Sequence, residues 1–76
     1  MDRTPVTSSN VDSVGYDPET SILEIAFKSG GIYRYSGVDP DTHLSLMGAE
    51  SIGSFVNKNI VRAGFTASKV EPQNQE

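Results

Sequence analysis

The chain has no cysteine and no tryptophan, and it has a single histidine among 76 residues. Without cysteine there is neither a disulfide nor a Cys-based zinc site to staple so small a domain. One histidine leaves no His pair for a metal. The acidic residues Asp12, Asp17, Glu24, Asp39, Asp41 and Glu50 fall at expected turns, caps and exposed strand positions, where solvated or capping roles suit them better than metal ligation. No Gly-x-Ser-x-Gly elbow and no glycine-lysine phosphate loop occurs. With no poised nucleophile, base or metal, the chain reads as a non-enzyme without a cofactor. His43 reads as a helix residue covering the core.

Long apolar runs are also missing, none exceeding three residues. The N-terminal Met-Asp-Arg-Thr-Pro has no hydrophobic stretch, so no membrane span or signal peptide is expected and the expected location is cytoplasmic. Positive charge is scarce: six Lys and Arg against ten Asp and Glu give a net charge of −4. Sequence-independent binding to long polyanions depends on many Lys and Arg contacts that release counterions, and this composition excludes it. A bound nucleic acid or nucleotide must be held by a small, local cationic site. Lys58, Arg62 and Lys69 in the last third of the chain supply one on paper.

The polar ends, residues 1–8 and 68–76, are read as flexible tails around one domain at 9–67, because their composition cannot repay the entropy of ordering. A core of about 55–60 residues is marginal, which makes a homo-oligomer the expected state.

Within that domain, Ser9 to Tyr16 reads as a strand, with Gly15 suggesting a bulge or bend, and Asp17-Pro18-Glu19-Thr20 as a turn. Leu23, Ile25 and Phe27 alternate with Glu24, Ala26 and Lys28 in a second strand, and a third strand carrying Tyr33-Arg34-Tyr35 follows the glycine turn. Loop length decides which way the tyrosines of the third strand point. A two-residue Gly30-Gly31 loop would set Arg34 opposite Phe27 on the core side. A three-residue Ser29-Gly30-Gly31 loop pairs Phe27 with Tyr33 and Ile25 with Tyr35, and turns Arg34 outward beside Ala26. Burying an unpaired guanidinium costs several kcal/mol, which selects the three-residue loop.

Asp39-Pro40 then starts a helix, with Asp as the N-cap and proline at the first position. Leu44, Leu46 and Met47 are expected to form its inner stripe, up to Gly48. A second helix is expected from Ser51 to Arg62, presenting Ile52, Phe55, Val56, Asn59 and Ile60 at helical spacing and ending at Ala63-Gly64. Strands followed by helices indicate an α+β fold, here a three-stranded antiparallel β-meander followed by two helices packed on one face.

Ser13-Val14-Gly15-Tyr16-Asp17, Leu23-x-Ile25-x-Phe27 followed by Gly31, Tyr33-x-Tyr35, Gly37-Val38-x-Pro40 and Ala49-x-Ser51-x-Gly53-x-Phe55-x-Asn57-x-x-Ile60-x-Arg62 occur in order. Taken together, residues 9–65 resemble the KTSC domain, a short module found at the C-terminus of some lysyl-tRNA synthetases and as a stand-alone bacterial or phage protein. The resemblance implies an RNA-binding role. The sequence departs from the family pattern at His43, where a large aromatic is expected, and at the thin closing segment Ala63-Gly64-Phe65.

The residues themselves point to a ligand site in two places. Tyr33 and Tyr35 can pack in the core or stack on a ligand, with Arg34 on the opposite side of the strand. Helical spacing sets Ser51, Ser54, Asn57 and Lys58 in one polar line running towards Arg62, and Gly53 would let a ligand or another backbone approach. Such amide, hydroxyl and cationic groups can hold base edges and phosphates, against the plainer possibility of local capping and solvation. The expected function is a non-catalytic binding module for RNA or a small nucleotide. Read as a complete protein, a domain this small acts by occupying something, and a phage-encoded homo-oligomeric sponge that sequesters a cyclic nucleotide immune signal fits. The alternative is a protein-protein interaction adaptor acting through the hairpin edge or the Phe55-Val56 face of the second helix.

Overall fold

A computed structural model describes residues 3–70. Its strands are β1 (Thr4–Pro5), β2 (Val11–Asp17), β3 (Ile22–Phe27), β4 (Ile32–Ser36) and β5 (Thr66–Val70). They form one antiparallel sheet in the order β1-β2-β3-β4-β5. Helices α1 (Pro40–Met47) and α2 (Ile52–Val56) lie between β4 and β5 in the chain, and α2 runs on into a π-helical turn at Asn57–Val61.

The fold is α+β with an antiparallel sheet and two helices, but the sheet has five strands where the sequence suggested three. Thr4 and Pro5, read as tail, pair with Val14 and Ser13, and Thr66–Val70, which straddles the expected domain end at residue 67, pairs along the whole of β4. Neither stretch has the apolar alternation that marks a strand, because each is an edge strand with mostly exposed side chains. Residues 1–2 and 71–76 of the expected tails lie outside the described residues.

One sheet face carries Val11, Val14, Leu23, Ile25 and Tyr35, all buried, and meets Val38, Leu46, Val56 and Ile60 in a single core. The expected inner stripe of α1 is corrected here. Leu46 is fully buried, Met47 is half-buried and Leu44 is 72% exposed. The helix is fixed at its start, where the Asp39 carboxylate accepts from the Thr42 backbone N–H at 2.9 Å and its hydroxyl at 2.7 Å, behind Pro40. That start turns His43, Leu46 and Met47 inward at i, i+3 and i+4. His43 stacks on Tyr16 with ring centroids 4.6 Å apart, taking the place of the expected aromatic, and burial pushes its imidazole below the ordinary histidine pKa. The Tyr16 hydroxyl donates to the Val38 carbonyl at 2.5 Å.

The β3–β4 hairpin has the expected three-residue loop, centred one residue earlier, on Lys28-Ser29-Gly30. Gly30 N–H donates to the Phe27 carbonyl at 2.9 Å and Phe27 N–H to the Gly31 carbonyl at 2.8 Å. Gly30, at φ +111°, takes the left-handed last loop position. The register therefore moves by two residues and keeps its parity: Ile25 pairs with Tyr33, Leu23 with Tyr35, and Arg34 stands opposite Glu24 instead of beside Ala26. Gly31 is now across from Phe27, and a Cβ there would lie 2.9 Å from Cε1 of Tyr33, whose ring packs edge-on against Phe27 at 5.9 Å.

The irregularity in β2 falls between Val11 and Ser13, while Gly15, expected at a bulge, sits in regular pairing with Glu24. Ser21 closes the preceding turn at φ 59°, the single non-glycine with positive φ among the described residues. A side chain there carries about 1–2 kcal/mol of steric cost, partly offset by the larger unfolded-state freedom of glycine. Ser21→Gly is accordingly expected to raise the melting temperature by about 2–5 °C, measured by calorimetry.

Candidate functional site

The sequence-derived site residues separate into three groups. Gly53, Ser54 and Asn57 meet at an open groove of about 610 Å³. Ser51 is the N-cap of α2, its hydroxyl accepting from the Ser54 N–H at 3.3 Å, while Lys58 and Arg62 are exposed and do not line the groove. The tyrosines and Arg34 lie elsewhere. Tyr35 is a core residue, 5% exposed, and burial together with the neighbouring Tyr33 raises its hydroxyl pKa. Tyr33 is half-buried behind Phe27, and Arg34 is on the helix-free face of the sheet.

Three segments build the groove. Ser9 and Asn10 come from the approach to β2, Lys28 and Ser29 from the hairpin tip, and Gly53, Ser54 and Asn57 from α2 and the turn after it. Phe27, Val56 and Val61 supply its apolar surface. The segments are tied together: Lys28 N–H donates to the Asn10 carbonyl at 2.8 Å, and the Ser8 hydroxyl accepts from the backbone N–H groups of Asn10 and Val11 at 3.2 and 3.3 Å. Gly53 does allow a close approach, by this loop rather than by a ligand. A Cβ there would lie 3.2 Å from Ser8 Oγ and 3.4 Å from Asn10 Nδ2.

The expected single helix from Ser51 to Arg62 is interrupted. The Arg62 N–H reaches back five residues to the Asn57 carbonyl at 3.2 Å, a π-helical bond. Val56 and Ile60 stay buried, but Val61 is left 49% exposed at the groove. Sequence reasoning missed Ser9, Asn10, Lys28 and Ser29, which stand on loops. The signal available for them was their position at two turns on the same end of the meander.

Among the described residues Lys28 is the only charged one lining the groove, so the surface suits an anionic group beside an apolar body with hydroxyls and amides around it. The hydroxyls of Ser9, Ser29 and Ser54 have no histidine or carboxylate beside them in the lining. Among the described residues no cluster of His, Asp and Glu could hold a metal ion, and no helix is long and apolar enough to cross a membrane.

A family model described as the KTSC domain matches residues 7–65. The chain is 45% identical over 58 residues to an uncharacterized protein of Stutzerimonas stutzeri (strain A1501), covering 76% of this chain and 82% of the relative. It is 44% identical over 63 residues to a protein of Tsukamurella paurometabola, covering 83% and 92% respectively. The crystal structure of a KTSC domain protein from Yersinia pestis superposes with a TM-score of 0.85 at 38% identity, over 92% of this chain and 97% of that one.

Proposed function

This chain belongs to the KTSC domain family, and we propose that it is a non-catalytic module that binds one nucleotide, free or at an accessible position of single-stranded RNA, in the groove between the hairpin tip and α2. The observation that carries this reading is the lining itself: a volume of about 610 Å³ lies within the usual range for small-ligand sites. In it Phe27 and Val61 offer apolar contact for a base, Asn10 and Asn57 offer amides for its edge, and Lys28 offers one ammonium for a phosphate. Among the described residues neither a nucleophile–base pair nor a metal cluster accompanies these groups, and the reading is accordingly one of binding without turnover.

The surfaces considered for an adaptor role, the hairpin edge and the Phe55-Val56 face, are engaged within the fold, with Phe55 half-buried against the core. Val56 is in the core, and β3 and β4 are paired on both sides within the sheet. That favours the ligand reading over partner docking at those places.

Calorimetric titration with the four ribonucleoside monophosphates, with cyclic nucleotides and with short single-stranded RNA tests the proposal. Binding of at least one is expected, weakened by about tenfold in Lys28→Ala through loss of one charge-assisted contact. Flat titrations across the whole panel would sink it. Native mass spectrometry of the same samples reports whether copies assemble around the ligand.

A further inference from the structure

The helix-free face of the sheet has a different chemistry. Its central row runs from Gly15 on β2 through Glu24 on β3 and Arg34 on β4 to Ser68 on β5. Arg3 is one residue before the Thr4–Val14 pair and so falls level with Gly15. Because Gly15 has no side chain, Arg3 can cross its lane to Glu24.

One carboxylate thus bridges two guanidiniums. Arg34 Nε donates to Glu24 Oε1 at 2.7 Å, Arg3 Nη1 donates to Glu24 Oε2, and Arg3 Nε donates to Ser13 Oγ at 3.1 Å. The Glu24 side chain is 3% exposed, whereas those of Arg3 and Arg34 are 33% and 46% exposed. Among the described residues neither η-nitrogen of Arg34, nor Nη2 of Arg3, has a hydrogen-bond acceptor.

Charge balance at this row needs only one arginine. The second leaves a surplus positive charge on a protein that is otherwise acidic, fixed in direction by a buried anion, and the unused donors belong to the outward ends. A guanidinium held in one orientation presents paired N–H groups that match two oxygens of a phosphate, and holding it beforehand removes the ordering cost of binding. The exposed hydroxyls of Ser68 and Ser36 flank Arg34 on this face.

We infer that the helix-free face of the sheet carries a second ligand site, specific for a phosphate group, in which Arg34 and Arg3 grip the anion and Glu24 positions them. The site is independent of the groove, being built on the opposite face of β3 and β4. A phosphate monoester and a phosphodiester of single-stranded nucleic acid share the required chemistry.

Arginine-detected NMR on the intact chain tests this, with inorganic phosphate as the first probe and a short oligouridylate as the second. Phosphate is expected to shift the Arg34 Nε–Hε signal and the backbone signals of Arg34 and Ser68. Arg34→Gln should abolish these shifts and Arg34→Lys should weaken binding by about fivefold, since an ammonium cannot form the paired contact. Backbone spectra of both variants establish that they are folded. Tighter binding of the oligouridylate than of phosphate assigns the site to nucleic acid, and equal or weaker binding assigns it to a free phosphate ligand.

Glu24→Gln separates fixed geometry from charge. Neutralising Glu24 adds a net positive charge, so a merely electrostatic patch would bind phosphate more tightly. A positioned pair instead loses affinity, by about threefold. Phosphate shifts confined to Lys28 and Asn57 would overturn this inference and support the groove. Shifts that persist in Arg34→Gln, or affinity that rises in Glu24→Gln, would also overturn it.

Discussion

Leu46→Ala is expected to destabilise the protein by about 3 kcal/mol, within the usual range for a buried leucine truncated to alanine. Leu46 has no exposed surface and is the only fully buried residue of α1, a helix of eight residues. A helix that short is not stable alone in water and depends on its buried contact. A 76-residue chain has a total stability of roughly 4–11 kcal/mol at typical per-residue values, so the loss is a large fraction of the whole. At about 4–8 °C per kcal/mol for a domain of this size, the midpoint should fall by about 12–24 °C. Leu44→Ala is the internal control. Leu44 is 72% exposed, so its truncation should stay within about 0.5 kcal/mol. Urea denaturation of the two variants checks the rotation of α1, and a greater loss in Leu44→Ala than in Leu46→Ala would contradict the packing described above.

That pair of leucines also shows where the sequence was legible and where it was not. The helix start was readable because Asp39-Pro40 is a local signal, and the Asp39–Thr42 bonds realise it. The inner stripe was harder, since His43 had to be counted as an inward residue and its partner Tyr16 is distant in sequence. Parity on β4 was readable because an unpaired buried arginine is costly. The register was not, because it depends on which of two adjacent glycines takes the left-handed position, and Gly30 takes it. Edge strands β1 and β5 left no pattern, because their side chains are exposed and their stability comes from backbone pairing.

The candidate groove was half legible for a related reason. Helical spacing found Gly53, Ser54 and Asn57, but Asn10 and Lys28 reach them only through the fold. The π-helical bond from Arg62 to Asn57 has no signature in an apolar pattern that fits an ordinary α-helix equally well. Lys58 and Arg62 lie outside the groove lining.

Glu24→Gln should cost about 1–2 kcal/mol at pH 7, and the cost should vanish in acid. Breaking a fully buried ion pair costs about 3–5 kcal/mol, but here both guanidiniums reach solvent and can rehydrate, which lowers the figure. The pH dependence follows from Glu24 itself. Burial pushes its carboxyl pKa up, while hydrogen bonds from Arg34 and Arg3, and their charges, push it down and prevail, leaving it below the ordinary value of 4.5. A carboxyl whose pKa is lower in the folded state contributes stability that is complete above the unfolded value and is lost as pH falls through the folded one. The wild-type advantage over Glu24→Gln should therefore be constant from pH 7 to about 5 and close progressively below about 4.5. Asp39, lowered by its bonds from the Thr42 hydroxyl and N–H, and His43, lowered by burial, also titrate on the acid side. Both are present in each protein, so their effects cancel in the difference. Guanidinium chloride is unsuitable for this measurement because its ionic strength screens the half-exposed arginines. Urea melts at fixed low salt from pH 7 to pH 2.5 read the difference directly, and a gap that stays constant across that range would show that the carboxylate is not held by Arg3 and Arg34.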